Sequence, residues 1–146
     1  MGLKLVTTVV ASLLAVRGAV AQTSAAANAA IDGVWRGKMN GLPVIALVIT
    51  DEPGNLAGAI LFYFQRRTTE KDPWTVEPRL PEPIFNVQYD GKTLLFESSH
   101  RRAHPPQSLN DPPKHYRMTL SGPNTAEIVN LDEPGSPVLK LDRSDY

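Results

Sequence analysis

The chain has 146 residues, with 15 basic and 15 acidic side chains, 13 prolines and no cysteine. That length is the length of one domain. The balanced charge lacks the basic excess of a nucleic-acid binder, and without cysteine any core must hold together with no disulfide.

The amino-terminal stretch reads as targeting rather than structure. Lys4 supplies a positive start, Leu5 to Val16 an apolar run, and Ala19-Val20-Ala21 the small-x-small pattern of a cleavage site. The run is too short to cross a bilayer core of about 30 Å as a helix. A signal peptide is therefore expected over residues 1–21, followed by a mature protein that is secreted or periplasmic, not inserted in a membrane, and monomeric. Removing 21 of 146 residues leaves 125; Lys4 and Arg17 go with them, so 13 basic residues face 15 acidic ones, a net charge of −2. A chain of that size buries roughly two-thirds of its unfolded surface, enough for one core. Residues 22–30 are small and polar and read as a flexible leader into a domain over 31–146.

Past that leader, short apolar runs alternate with turn residues, the pattern of an all-β domain. Strands are expected over 34–39, 43–50, 55–64, 84–90, 93–98, 115–121, 125–131 and 138–143. Asn40-Gly41 and Asp90-Gly91 favour the positive φ of tight hairpin turns. Pro53-Gly54-Asn55, Gly122-Pro123-Asn124 and Asp132-Glu133-Pro134-Gly135 make the other short links. Alternation turns Ile45, Leu47 and Ile49 to one face, as it does Ile60, Phe62 and Phe64, with Glu97, Arg117 and Lys140 on opposite faces of their strands. Eight such strands, each paired with the next, close into a single antiparallel up-and-down barrel with no exposed edge.

In such a meander successive links alternate between the two ends. The two long, proline-rich links, 65–83 and 99–114, then share one end, and the opposite end carries only tight turns. Long loops in compact domains are usually functional or disordered, and small barrels open to ligand at their mouths. A binding site is expected at the long-loop end.

Gly33-Val34-Trp35 on the first strand and Arg143 on the last resemble a pair in the calycin barrels, the lipocalin and avidin group. In lipocalins such a tryptophan plugs the barrel floor and a basic residue of the last strand packs across it. The resemblance implies those structural roles for Trp35 and Arg143, and a lipocalin-like barrel. The chain is also similar to bacterial periplasmic barrel domains found alone or beside exported hydrolases. That pattern is carried by Gly33-x-Trp35-x-Gly37, Gly54-Asn55-Leu56-Ala57-Gly58, Leu94-x-Phe96 and Leu139-x-Leu141 before Arg143, over roughly residues 31 to 143.

Candidate ligand contacts lie in the long links. Arg66-Arg67 and Arg101-Arg102 stand at their roots as a cationic rim, whose forked donors suit a carboxylate, phosphate or sulfate. Yet four basic residues between 65 and 83 are matched by four acids, Glu70, Asp72, Glu77 and Glu82. Trp74 is placed either to stack on a ligand or to fold down as a lid. Tyr63, Tyr89 and Tyr116 would carry hydroxyls near the mouth, unless they are ordinary barrel residues. His100, His104 and His115 are good ligands for zinc or copper by type, but Pro105-Pro106 and the single acid Asp111 leave no tetrahedral set, so no metal site is assigned.

No catalytic set emerges. Ser98-Ser99-His100 are only neighbours in sequence, and the acid pairs Asp51-Glu52 and Asp132-Glu133 occupy turns. The expectation is a non-enzymatic barrel with no cofactor, contacting a small anionic or amphipathic ligand through Arg66, Arg67, Trp74, His100, Arg101 and Arg102. Two alternatives stay open. One is an accessory or structural module that meets a protein partner, its barrel filled by Phe62, Phe64, Phe96 and leucines. The other is a histidine-based metal carrier or hydrolase.

Overall fold

The computed structural model describes residues 28–52, 55–99 and 112–144. The expected signal peptide and most of the expected leader, and with them His100, Arg101, Arg102 and His104, lie outside the described residues. Nine strands follow one another: β1 (Gly33–Met39), β2 (Leu42–Glu52), β3 (Asn55–Arg66), β4 (Thr75–Pro78), β5 (Glu82–Tyr89), β6 (Thr93–Ser98), β7 (Lys114–Gly122), β8 (Thr125–Asn130) and β9 (Leu139–Ser144).

All pairings are antiparallel. The order runs β2-β1-β9-β8-β7-β6-β5-β3, and β2 pairs with β3 to close eight strands into a barrel. Its interior is made by the alternation that period-2 sequence dictates. Trp35, Leu47, Ile49, Ile60, Leu94 and Met118 are each 0% exposed, with Ile45, Phe96, Ile128 and Leu141 close behind. Gly58 stands where β2 and β3 press together; a Cβ there would lie 2.0 Å from the carbonyl oxygen of Val48, so no side chain fits.

Asn40 and Gly41, at φ 56° and 77°, make the tight hairpin between β1 and β2 that their sequence predicts. At Asp90-Gly91 the Asp90 backbone N–H donates to the Thr93 carbonyl at 3.2 Å across Gly91-Lys92, with Gly91 at φ 95°. The Asp90 carboxylate also accepts the backbone N–H groups of Lys92 and Thr93 at 2.9 and 2.6 Å, so its side chain reinforces the turn.

The ninth strand is the main departure from the expected plan. β4 lies within the first long link and pairs with the outer part of β3, Arg66 opposite Thr75 and Tyr63 opposite Pro78. β5 then takes over the same edge of β3, with Ile60 opposite Glu82. Between these pairs β3 advances three residues, 60 to 63, while its partner advances four, 78 to 82. The segment Pro78-Arg79-Leu80-Pro81-Glu82-Pro83 is thus a bulge in one interrupted strand, rather than a free spacer. Its prolines sit where a ladder donor is not required. The β3–β4 hairpin stands beyond the barrel, and Phe64, expected in the interior, is 46% exposed on it.

Candidate functional site

The two ends of the barrel are built differently. At the tight-turn end, residues 28–31 form one helical turn where the sequence suggests only a leader. Ile31 is fully buried and its carbonyl accepts the Trp35 indole N–H at 2.8 Å. Arg143 lies with Cζ 5.6 Å from the Trp35 ring centroid. Its guanidinium donates to the carbonyls of Ala29, Ala30 and Asp32, while its backbone N–H reaches Asn124. Gly33, at φ +131°, makes room: a Cβ there would stand 2.9 Å from Arg143 Nε. Asn28 ties the turn to Asp51 of β2 at 3.0 Å. This end is a sealed floor.

The mouth end carries the other links. Gln65 fastens the base of the β3–β4 hairpin to the first turn, its amide nitrogen shared among the carbonyls of Met39, Leu42 and Pro43 at 3.1, 3.2 and 3.0 Å. At the tip three of the residues singled out in sequence meet. Arg67 Cζ lies 4.7 Å from the centre of the Trp74 ring, and Arg66 and Arg67 both line a hollow of about 630 Å³ with Thr68, Asp72, Pro73 and Thr75. Every one of these residues is exposed, so the hollow belongs to the hairpin and not to the barrel interior.

One acid and one backbone carbonyl hold this basic pair in place. Arg66 donates to Glu77 at 2.6 Å, and Arg67 to the carbonyl of Glu70 at 3.2 Å. Asp72 accepts the Thr69 amide at 2.9 Å. Trp74 is 38% exposed against Arg67 and does not seal the mouth as a buried lid would. Each arginine commits part of its fork and keeps other donors directed to solvent.

Sequence reasoning missed a buried polar chain inside the barrel. Glu82 is 3% exposed and accepts a hydrogen bond from the fully buried Ser98 hydroxyl at 2.9 Å. Tyr116 stands beside them. Burial first, and the nearby Glu82 second, push its phenol up to about 12, against a partly offsetting hydrogen bond with Ser98. Its ring lies against Phe96, with centroids 5.3 Å apart, and Phe62 at 6.0 Å. The signal was present in the alternation: Glu82 is in phase with Ile84, and Ser98 with Leu94 and Phe96. Prolines on both sides of Glu82 hid that phase. Ser98 is too deeply buried to serve as a nucleophile for an outside substrate.

No family profile matches the chain, and no curated protein or solved structure shows a significant match to it. The function must be argued from the site itself.

Tyr89 does not belong at the mouth. It ends β5 beside the Asp90 turn, and its buried hydroxyl has no hydrogen-bond partner. His115 lies on the outer wall, where Nδ1 is 2.9 Å from Asp132 Oδ1 and Nε2 is 3.9 Å from Glu97. Among the described residues no group of three or more His, Asp or Glu is arranged to hold a metal ion. The His115–Asp132 contact instead fixes the link between β8 and β9 to β7, helped by Lys114 and Glu133 at 3.7 Å.

A second space opens beneath that link. It measures about 120 Å³ and is walled by Ile45, Phe62, Tyr116, Ile128 and Leu139, with Asn130, Glu133 and Ser136 at its rim. It is far below the roughly 300–1,000 Å³ of a drug-sized ligand pocket.

Proposed function

We propose that this chain is an exported, non-enzymatic binding protein that captures a small anion at the tip of its β3–β4 hairpin, with the barrel as a rigid mount. One observation carries the reading: Arg66 and Arg67 line a single hollow on a hairpin anchored at its base, and Trp74 packs under Arg67 beside it. Guanidinium forks match the paired oxygens of carboxylate, phosphate or sulfate. The acids already on Glu77 and Asp72 weaken the local field and imply modest affinity with strong dependence on salt.

Trp74 provides the readout, because it is exposed beside Arg67 whereas Trp35 is sealed in the floor and insensitive to added solutes. Inorganic phosphate, sulfate and citrate, titrated at low salt to about 10 mM, should give a saturable change in tryptophan emission that Arg67→Ala removes; weak sites of about millimolar Kd fall within that range. An emission unchanged by all three anions overturns the proposal.

A second reading has its own support. Among the described residues eight large apolar side chains are exposed, and six of them, Met39, Phe64, Trp74, Leu80, Leu131 and Val138, sit at the mouth end. Clustered apolar exposure of this kind marks protein contacts. Native mass spectrometry of protein recovered from its own host separates the two: a retained small mass supports capture of an anion, and a protein-sized mass supports the accessory role.

A further inference from the structure

We infer that the 120 Å³ cavity beneath the β8–β9 link is a second binding site, selective for a neutral single-ring aromatic group. This site is separate from the hairpin tip and does not depend on the anion reading. Close-packed interiors contain few voids larger than a water molecule, and this recess of about 120 Å³ opens to solvent at the mouth end while its deep side reaches core residues. An apolar cavity of about 150 Å³ accepts benzene; this open recess has a volume of the same order.

The walls give the selectivity. Ile45, Phe62, Ile128 and Leu139 are apolar, and Phe62 and Tyr116 offer ring faces or edges to a guest ring. The Tyr116 phenol stays protonated at every physiological pH, so it brings no charge to the cavity. Besides the Tyr116 hydroxyl, the polar groups are Asn130 at the end of β8 and Glu133 and Ser136 of the link. Glu133 faces Lys114, which partly neutralises it. A ring with one uncharged hydrogen-bonding substituent would place its carbons against the isoleucines and its polar atom at this rim. A carboxylate on the same ring would meet Glu133 and lose hydration without a dedicated cation.

The probes are phenol, benzene and benzoate, read on the isoleucine, leucine and valine methyl resonances of the full chain. Phenol and benzene should shift Ile45, Ile128 and Leu139 saturably, leave Leu95 and Val48 on the outer walls unmoved, and act equally on Arg67→Ala. Benzoate should shift the same methyls at least tenfold more weakly. Leu139→Trp, which fills the space, should abolish the phenol response while the remaining methyl spectrum keeps its folded dispersion. If that variant unfolds, Ser136→Trp at the rim makes the same test without touching the barrel wall. Shifts that are absent, that spread over the outer surface, or that persist in the filled variant overturn the inference, as does benzoate binding as tightly as phenol.

Discussion

The floor and the mouth of this barrel each place an arginine over a tryptophan, yet the two pairs differ in nearly every other respect. At the floor, Arg143 packs on a fully buried Trp35 and also gathers three backbone carbonyls of the helical turn. At the mouth, Arg67 covers an exposed Trp74 and takes one carbonyl within its own loop. The same ring and the same cation thus serve closure at one end and presentation at the other. What decides between them is whether the pair is joined to more than one element of the chain.

The largest break in that contrast comes from truncating the aromatics. Trp35→Ala should cost about 3–5 kcal/mol, because a full side chain leaves a packed interior. Phe64→Ala, on the exposed hairpin, should stay within about 0.5 kcal/mol. Denaturant midpoints of the two variants measure both, and equal losses would mean that the hairpin is part of the cooperative core.

Next in size is the cation of the floor. Arg143→Met keeps the aliphatic stem but leaves the carbonyls of Ala29, Ala30 and Asp32 without their donor, and should cost about 1–3 kcal/mol. Arg67→Met should cost no more than about 1 kcal/mol, the value of an exposed cation–π pair. Comparable losses would show that the mouth pair is structural and would remove the physical basis for reading it as a presented surface.

Ser98→Ala tests the polar chain between the two ends. It strips a buried carboxylate of one donor, which should cost about 1–2 kcal/mol, whereas Ser121→Ala on the exposed face of β7 should be neutral. The pairing of Ser98 with Glu82 also marks the limit of what sequence could reveal. The strands that line the barrel were legible because their apolar residues recur with period 2, as in Tyr116-Arg117-Met118-Thr119-Leu120. The hairpin turn at Asn40-Gly41 was legible because positive φ selects those two residue types. β4 was not, since its four residues lie between Pro73 and Pro81 and bring no apolar alternation. Glu82 was hidden for the same reason. Of the candidate site, that Arg66, Arg67 and Trp74 share one long link was legible in the sequence, while the Arg66–Glu77 pair depended on a β3–β4 register that no local pattern specifies.

The smallest effect compares two aspartates held by amide donors at opposite ends. Asp132, at the mouth, lies below the usual carboxylate range chiefly because the His115 backbone N–H donates to it, and then because the His115 side chain does. Asp90, at the floor, is lowered in the same direction by the amides of Thr93 and Lys92. A folded pKa below the unfolded one means that each contact contributes fully above the unfolded value and fades only as pH falls through the folded value. Both links should therefore stay ordered down through the ordinary aspartate pKa of about 3.9, and loosen only below it. Their consequences differ. Asp90 closes a turn whose strands also pair through Tyr89 and Leu94, but Asp132 holds a link between two strands to a third, together with Lys114–Glu133. Amide protection, taken relative to the intrinsic exchange rate at each pH, should fall over residues 131–138 on acidification while the amides of β5 and β6 keep theirs. Loss of protection over residues 131–138 well above the ordinary aspartate range would show that the Asp132 carboxylate is not what attaches the link.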